Sequence, residues 1–276
     1  MTNHAYALGV LGTGHIAAVI IRRLLASRYL TGDRIIVSDS RKLREHPLDV
    51  VVAPDNAAVV RDARIVLIAV TPQRFEEAAG TIRDAAGGDH LFISLMAGVP
   101  TDRVAECLGG GSIRVIRAMP NLPFGLGCGV TGLYCGRHAS ADDLEEAEHL
   151  FRAGGVTVVV DDEALMDAVT AVAGSGPAYF YYFVEMMMEG GVAAGLKPED
   201  AKVLAAHACV GAGAMLLENG ASPAELRAAV TSPGGTTQAA MDRLRECRVA
   251  ESVTQAVLAA FHRSQELGRR HHRGPA

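Results

Sequence analysis

Two glycine-rich turns near opposite ends of the chain hold the residue types best suited to chemistry. They are Gly9-Val-Leu-Gly12-Thr-Gly14-His-Ile-Ala17 and Val230-Thr-Ser-Pro-Gly234-Gly235-Thr-Thr237-Gln238. The first follows a short apolar run and opens a helix-like segment, an arrangement in which backbone N–H groups and a helix N-terminus cradle a dinucleotide pyrophosphate. The second sets Pro233, two glycines and two threonine hydroxyls at the start of an amphipathic helix over Gln238 to Glu246. Such a turn is a seat for a small carboxylate. One end points to a cofactor, the other to a substrate.

A G-x-G-x-x-A pattern fixes few positions and gains its meaning from context. Gly12-x-Gly14-x-x-Ala17 comes after a predicted strand and before a predicted helix, in the first βαβ unit, where dinucleotide binding needs it. At the end of the second strand, Asp39 can accept the ribose hydroxyls of NAD and repel a 2′-phosphate, while Ser38, Ser40, Arg41 and Lys42 can bind that phosphate. These residues leave NAD and NADP both open.

The chain has only Lys42, Lys197 and Lys202, the last two in or beside the start of an exposed-looking helix, which argues against a catalytic lysine. Without a lysine, a metal cluster or a Ser/His/Asp set, hydroxyls and backbone amides are left to touch a substrate. They suit a reaction with little proton work. Hydride addition to an imine already protonated on nitrogen is one: the cation is electrophilic by itself, and the site mainly orients it.

The elements that must position these turns fall into two patterns. The first half alternates β-branched runs (Tyr6–Leu11, Arg34–Ser38, Ile65–Val70, Leu91–Leu95, Val115–Met119) with helical stretches near Ile16–Ser27, Gln73–Ala86 and Thr101–Leu108. Such alternation predicts an α/β, doubly wound parallel sheet of Rossmann type. Gly129–Tyr134 and Val156–Val160 flank a helix over Ala141–Ala153 and extend the sheet. The dinucleotide-binding domain is thus expected over 1–161, and an all-helical substrate and dimerisation domain over 162–276. The helical domain is rich in Ala, Gly and Met, and its run Tyr179-Phe-Tyr-Tyr-Phe183 is apolar on every face. A helix apolar all round is normally covered on all sides, so helices of a second subunit are expected to complete this core.

With 276 residues, 49% hydrophobic and 21% charged, the chain reads as an ordinary soluble globular protein. A formal charge of −5 gives no basic field for nucleic acid. The segment Val203–Leu217 is interrupted by His207 and falls short of the roughly 18 to 20 apolar residues of a bilayer span. It reads as a buried helix or a subunit interface, and no membrane partner is expected. A strand beginning near Ala5 leaves no room for a secretory leader, which favours the cytoplasm. The cysteines, Cys107, Cys128, Cys135, Cys209 and Cys247, contain no C-x-x-C pair. They suggest neither a disulfide framework nor a metal site and read as reduced packing residues.

The 3-hydroxyacid dehydrogenases share this two-domain plan, but their second domain carries G-x-G-x-x-x-K-x-x-N. Here Phe180 stands where that lysine would follow Gly174 and Gly176. The chain instead resembles the pyrroline-5-carboxylate reductases from Leu8 to about Gly268, through Arg117-Ala-Met-Pro-Asn121, Asp167-Ala-Val-Thr-Ala171 running into Gly174-Ser-Gly-Pro-Ala-Tyr179, Thr231-Ser-Pro-Gly-Gly-Thr-Thr237 and Arg263-Ser-Gln-Glu-Leu267.

The resemblance implies reduction of 1-pyrroline-5-carboxylate to L-proline with NADP(H), favoured, or NAD(H), in a homodimer or larger ring of dimers joined through the helical domain. It implies that Leu11, Gly12, Thr13, Gly14, His15 and Ile16 hold the pyrophosphate. Asp39, Arg41 and Asn56 would surround the adenosine ribose, and Ala69, Val70, Thr71, Pro72 with Met96, Ala97 and Gly98 would line the nicotinamide. Gly234, Gly235, Thr236 and Thr237 would bind the substrate, with Thr237 the closest hydroxyl, and Glu163 would approach it, unless it serves only as a carboxylate at a helix start. Thr71, Leu122, Ala173 and Asp39 depart from the family pattern. They keep open a reductase of a related cyclic imine acid; a nucleotide-binding regulatory protein without turnover is the third reading.

Overall fold

Tyr6–Leu11 (β1), Ile35–Val37 (β2), Val51–Val52 (β3), Ala63–Ile68 (β4), Leu91–Ser94 (β5), Arg114–Pro120 (β6), Gly129–Cys135 (β7) and Gly155–Val160 (β8) form one eight-stranded sheet in the order β3-β2-β1-β4-β5-β6-β7-β8. The structure, a computed structural model, describes residues 4–38, 48–218 and 220–272. The central strands are near-continuous β-branched and leucine runs because both faces are covered. All four residues of β5 and five of the six in β4 are buried. Order reverses between β1 and β4, and the carboxyl ends of those strands open the crevice typical of such sheets.

The sheet carries helices on both faces: His15–Ala26 (α1), Asn56–Asp62 (α2), Pro72–Ile82 (α3), Thr101–Cys107 (α4) and Ala141–Arg152 (α5). In α1 the buried residues Ala17, Ile20, Ile21 and Leu24 recur at helical spacing, and they pack with Val10, Leu67, Phe124 and Phe151 on one face. Phe75, Ile82, Phe92, Val104 and Val115 build the other. Each fully buried Leu, Ile or Phe contributes roughly 1.5 to 3 kcal/mol. Helix α5 starts at a reciprocal cap, where Ser140 and Asp143 bond each other's backbone N–H, and Asp143 also accepts from Arg114 of β6 at 2.6 Å.

Three features differ from the sequence expectation. Strand β7 runs antiparallel to β6 rather than parallel, because the segment 121–128 is a 3-10 turn around Leu122–Leu126 and is shorter than the dozen or so residues a crossover needs. Strand β3 and helix α2 are additional; α2 starts at Asp55, whose carboxylate accepts from Ala58 N at 2.7 Å. Among the cysteines, all free, Cys128 and Cys247 are exposed rather than packed, whereas burial pushes the Cys107 and Cys135 thiols up.

The chain divides into two compact units, Met1–Ser175 with Ala260–Ala276, and Gly176–Ala259. The first therefore includes the short helix Leu165–Val169 (α6) and the π turn Thr170–Gly174 that continues it. The second contains Gly176–Ala193 (α7), Pro198–Glu218 (α8), Pro223–Ala229 (α9) and Thr236–Glu246 (α10), and the start of Val249–His272 (α11). Within it α7 and α8 pack together, yet Phe180, Tyr181 and Tyr182 of α7 and Val203, Leu204 and Val210 of α8 are exposed in the single chain. Helix α8 is therefore not a buried helix of the monomer. By length and composition alone it is long and apolar enough to cross a membrane.

Candidate functional site

Strand β1 ends in the buried Leu11, and the chain turns at Gly12 with φ +86°, a conformation that disfavours any side chain. A Cβ there would also lie 3.1 Å from Ala69 O, because the turn after β4 backs onto this one and Ala69 N donates to Leu11 O at 2.9 Å. Thr13 is buried, His15 is exposed, and Ile16 is half-buried against the core in the first turn of α1. Gly14 caps α1 without a side-chain hydrogen bond, the first turn holds no acidic residue, and Arg23 lies in the last turn. The initial N–H groups and the positive end of the helix dipole are thus left for an anion.

The neighbouring strand ends bring further predicted residues to the same edge. Thr71 caps α3 with Pro72 at its first position, following Ala69 and Val70. Ser38 Oγ donates to Asn56 Oδ1 at 2.5 Å, and Asn56 Nδ2 donates to Thr81 Oγ1 at 3.2 Å, fixing Asn56 beside the end of β2. Asp39 and Arg41 lie outside the described residues. Beyond β5 come the buried Met96, then Ala97 and Gly98, the last with φ +74°. A Cβ on Gly98 would stand 2.6 Å from Gly268 N and 2.9 Å from Ser264 O, so this loop lies directly on the backbone of α11 near its C-terminus.

A buried polar network supports that contact. The Arg117 guanidinium of β6, its side chain 4% exposed, lies with Nη1 3.5 Å from Glu163 Oε1 and Nη2 3.6 Å from Asp167 Oδ1. Asp167 Oδ1 also accepts from the buried Ser264 Oγ at 2.6 Å. Glu163 accepts from Thr101 N at 2.8 Å and Thr101 Oγ1 at 3.0 Å, so its carboxylate sits at the N-terminus of α4. Asn121, at the end of β6, donates to Ala173 O and accepts from Val130 N, both at 3.1 Å. Three motifs quoted above thereby meet in one cluster. Sequence reasoning gave Arg117, Asp167 and Ser264 no role, although a charge inside the apolar run Val115-Ile-Arg-Ala-Met119 signals a buried partner.

In the second unit, Gly234 has φ +70° and Gly235 N donates to Ser232 O at 3.0 Å, closing the turn before α10. Gly235 caps α10 without a side-chain hydrogen bond; Thr236 and the half-buried Thr237 form its first turn, which holds no acidic residue, and Arg243 and Arg245 occupy its last. This is again a helix start with free N–H groups, now flanked by hydroxyls, and it can hold a carboxylate and donate or accept one further hydrogen bond.

Residues 163–267 match a family model described as pyrroline-5-carboxylate reductase dimerisation, and residues 7–98 match one described as NADP oxidoreductase coenzyme F420-dependent. The chain is similar to the pyrroline-5-carboxylate reductase of Synechocystis, 38% identical over 269 residues that cover 95% of this chain and 98% of that protein. Among solved structures it is similar to a pyrroline-5-carboxylate reductase from Coxiella burnetii, with 32% identity, a TM-score of 0.86 and coverage of 96% and 99% of the two chains. It shares its fold with a Plasmodium falciparum pyrroline carboxylate reductase solved with NADP bound, at 24% identity, a TM-score of 0.88 and coverage of 97% and 99%.

Proposed function

Since the chain belongs to the pyrroline-5-carboxylate reductase family, we propose how its own residues divide the work of reducing 1-pyrroline-5-carboxylate to L-proline, the last step of proline biosynthesis. The observation that carries the assignment is the pair of helix starts without side-chain caps, each preceded by a positive-φ glycine, at Gly12–Gly14 and Gly234–Gly235. The first fits a dinucleotide diphosphate, since a Cβ at Gly12 would fill its turn and no acidic residue opposes an anion there. When bound, the reduced nicotinamide of NADPH, or of NADH, supplies the hydride that adds to the imine carbon.

In this reading Leu11–Ile16 hold the pyrophosphate, and Asp39, Arg41 and Asn56 surround the adenosine ribose. Ala69–Pro72 and Met96–Gly98 line the nicotinamide. The N–H groups beginning at Gly235 and the Thr236 hydroxyl bind the substrate carboxylate, with Gly234 allowing its close approach. Thr237 holds the ring nitrogen through its hydroxyl; the nitrogen arrives protonated, so the residue orients more than it transfers. Glu163 acts from its place on Thr101 and Arg117. Residues 1–161 serve the cofactor and 162–276 the substrate and the subunit contact, in a cytoplasmic homodimer or ring of dimers whose helices cover the exposed faces of α7 and α8.

Initial rates of NADPH and NADH oxidation with 1-pyrroline-5-carboxylate, beside the six-membered imine acid and a 3-hydroxyacid run in the oxidative direction, test the assignment. Fast turnover of the five-membered imine is expected, and turnover of another imine alone refutes it. Thr237→Ala is expected to lower kcat/KM about a hundredfold with the Kd for NADPH unchanged; full retained kcat/KM removes Thr237 from the site.

A further inference from the structure

We infer that His4, Asp89 and His90 form a binding site for a divalent transition-metal ion at the edge of the sheet opposite the cofactor turns. His4 stands just before β1, and Asp89 and His90 just before β5. These parallel strands therefore bring the three residues to the amino ends, whereas Leu11–Ile16 and Met96–Gly98 lie beyond the carboxyl ends. Separation along the chain, not spacing within a motif, hides the group from a sequence scan.

The hydrogen bonds decide which atoms face one another. His4 Nδ1 meets Arg61 O at 3.4 Å and His90 Nε2 meets Val60 O at 2.9 Å, both carbonyls at the end of α2. A carbonyl only accepts, so Val60 O takes the proton of His90 Nε2 and Arg61 O that of His4 Nδ1; His90 Nδ1, 3.1 Å from the donor Gly87 N and 3.3 Å from Gly87 O, and His4 Nε2 are then left with lone pairs. Both lone pairs face one carboxylate: His4 Nε2 is 3.7 Å from Asp89 Oδ2, and His90 Nδ1 is 3.2 Å from Asp89 Oδ1. The three donor atoms lie within 4.8 Å of one another. Two imidazole lone pairs and an anion converging in this way form a donor set that a cation satisfies, either a proton on one ring or a metal ion between them.

The surroundings are those of a metal site. Each imidazole is oriented by a backbone carbonyl on its outer nitrogen, the arrangement that fixes tautomer and ring direction in metal-binding histidines. The two rings are nearly desolvated, at 7% and 5% exposure, while Asp89 is 48% exposed. Binding would draw the three donors toward the roughly 3.3 Å edge of a tetrahedron with bonds of about 2.0 Å. A cavity of about 490 Å³, lined also by Arg61, Thr81 and Asp84, gives access and room for a water as fourth ligand. Gly87 N donates to His90 Nδ1 at 3.1 Å, and the metal replaces that bond. Two nitrogens and one carboxylate oxygen favour Zn²⁺, Co²⁺ or Ni²⁺ over Mg²⁺ and Ca²⁺. The ion would staple the segment before β1 to the turn before β5, and turnover would not depend on it.

The test is titration of the chelator-treated, dialysed full-length protein with Co²⁺, followed by visible absorption, with Zn²⁺ content measured by mass spectrometry. One equivalent per chain is expected, with a rise in Tm of about 5–10 °C when free Zn²⁺ is near 100 times its Kd. His4→Gln and Asp89→Ala should each abolish the equivalent and the Tm rise while leaving kcat/KM unchanged. The double substitution His271→Gln with His272→Gln should retain both. Failure to bind Co²⁺ or Zn²⁺ in that titration, or an equivalent that survives the first two variants or disappears with the tail histidines, overturns the assignment.

Discussion

Arg117→Met removes the cation from the buried cluster while keeping an apolar stem of similar length. The guanidinium lies 3.5 Å from the Glu163 carboxylate and 3.6 Å from that of Asp167. At an effective dielectric near 20, each pair attracts by about 4 to 5 kcal/mol before desolvation is counted. Desolvation takes back much of that, since Arg117 Nε and Nη2 are buried without a hydrogen-bond partner. Removing one partner is different from never having had the pair: it leaves two carboxylates, 20% and 15% exposed, without their counter-charge. The expected loss is about 3 to 5 kcal/mol, typical of a broken buried pair. Urea unfolding at pH 7 and fixed protein concentration measures it. Combining Arg117→Met with Glu163→Gln and Asp167→Asn should restore most of the loss, because the new side-chain amide keeps an oxygen for Thr101 and no buried charge remains. A loss below about 1 kcal/mol, or a triple variant no more stable than the single, would refute the electrostatic account.

Gly98→Ala combines a positive-φ alanine, about 1 to 2 kcal/mol, with overlap against the backbone of α11, about 1 to 3 kcal/mol. It should lower Tm and raise the KM for NADPH more than it lowers kcat; an unchanged Tm would show that the loop and α11 separate at little cost. Val210→Asp, on a residue 70% exposed in the single chain, should leave the far-UV spectrum intact and shift the protein to monomer in size-exclusion chromatography with light scattering. An unchanged oligomer would place the subunit contact elsewhere.

The alternation of apolar runs and helices was enough for the sheet, because the central strands are buried on both faces and no competing pattern explains them. The direction of β7 was not, since it depends on the length of the link after Pro120 rather than on the composition of the strand. Strand β3 is two residues long and offers no period to detect. The glycine turns were readable because positive φ and close approach at Gly12 demand a particular residue type. The Arg117 cluster was not, since Arg117, Asp167 and Ser264 are far apart in the chain and only the fold gives Arg117 and Ser264 a common partner in Asp167. Helix α8 could be read only as a buried helix or a subunit interface, for a related reason: apolar sequence reports that a surface is suited to being covered and is silent about which chain covers it.

The return of residues 260–272 to the first unit makes Gly176–Ala259 an insertion within it. Order of synthesis is therefore not order of completion. A nascent chain forms β1 to β8 early, but the backbone against which Gly98 rests and the hydroxyl that bonds Asp167 are made last. The sheet unit must hold its loop after β5 unsupported throughout translation of the inserted helices, although domains generally fold as units during synthesis, N-terminal first. A ribosome stalled before Ala260 carries a sheet whose Gly98 loop lacks its backing, and truncation at the C-terminus reaches that loop before it touches the helical unit.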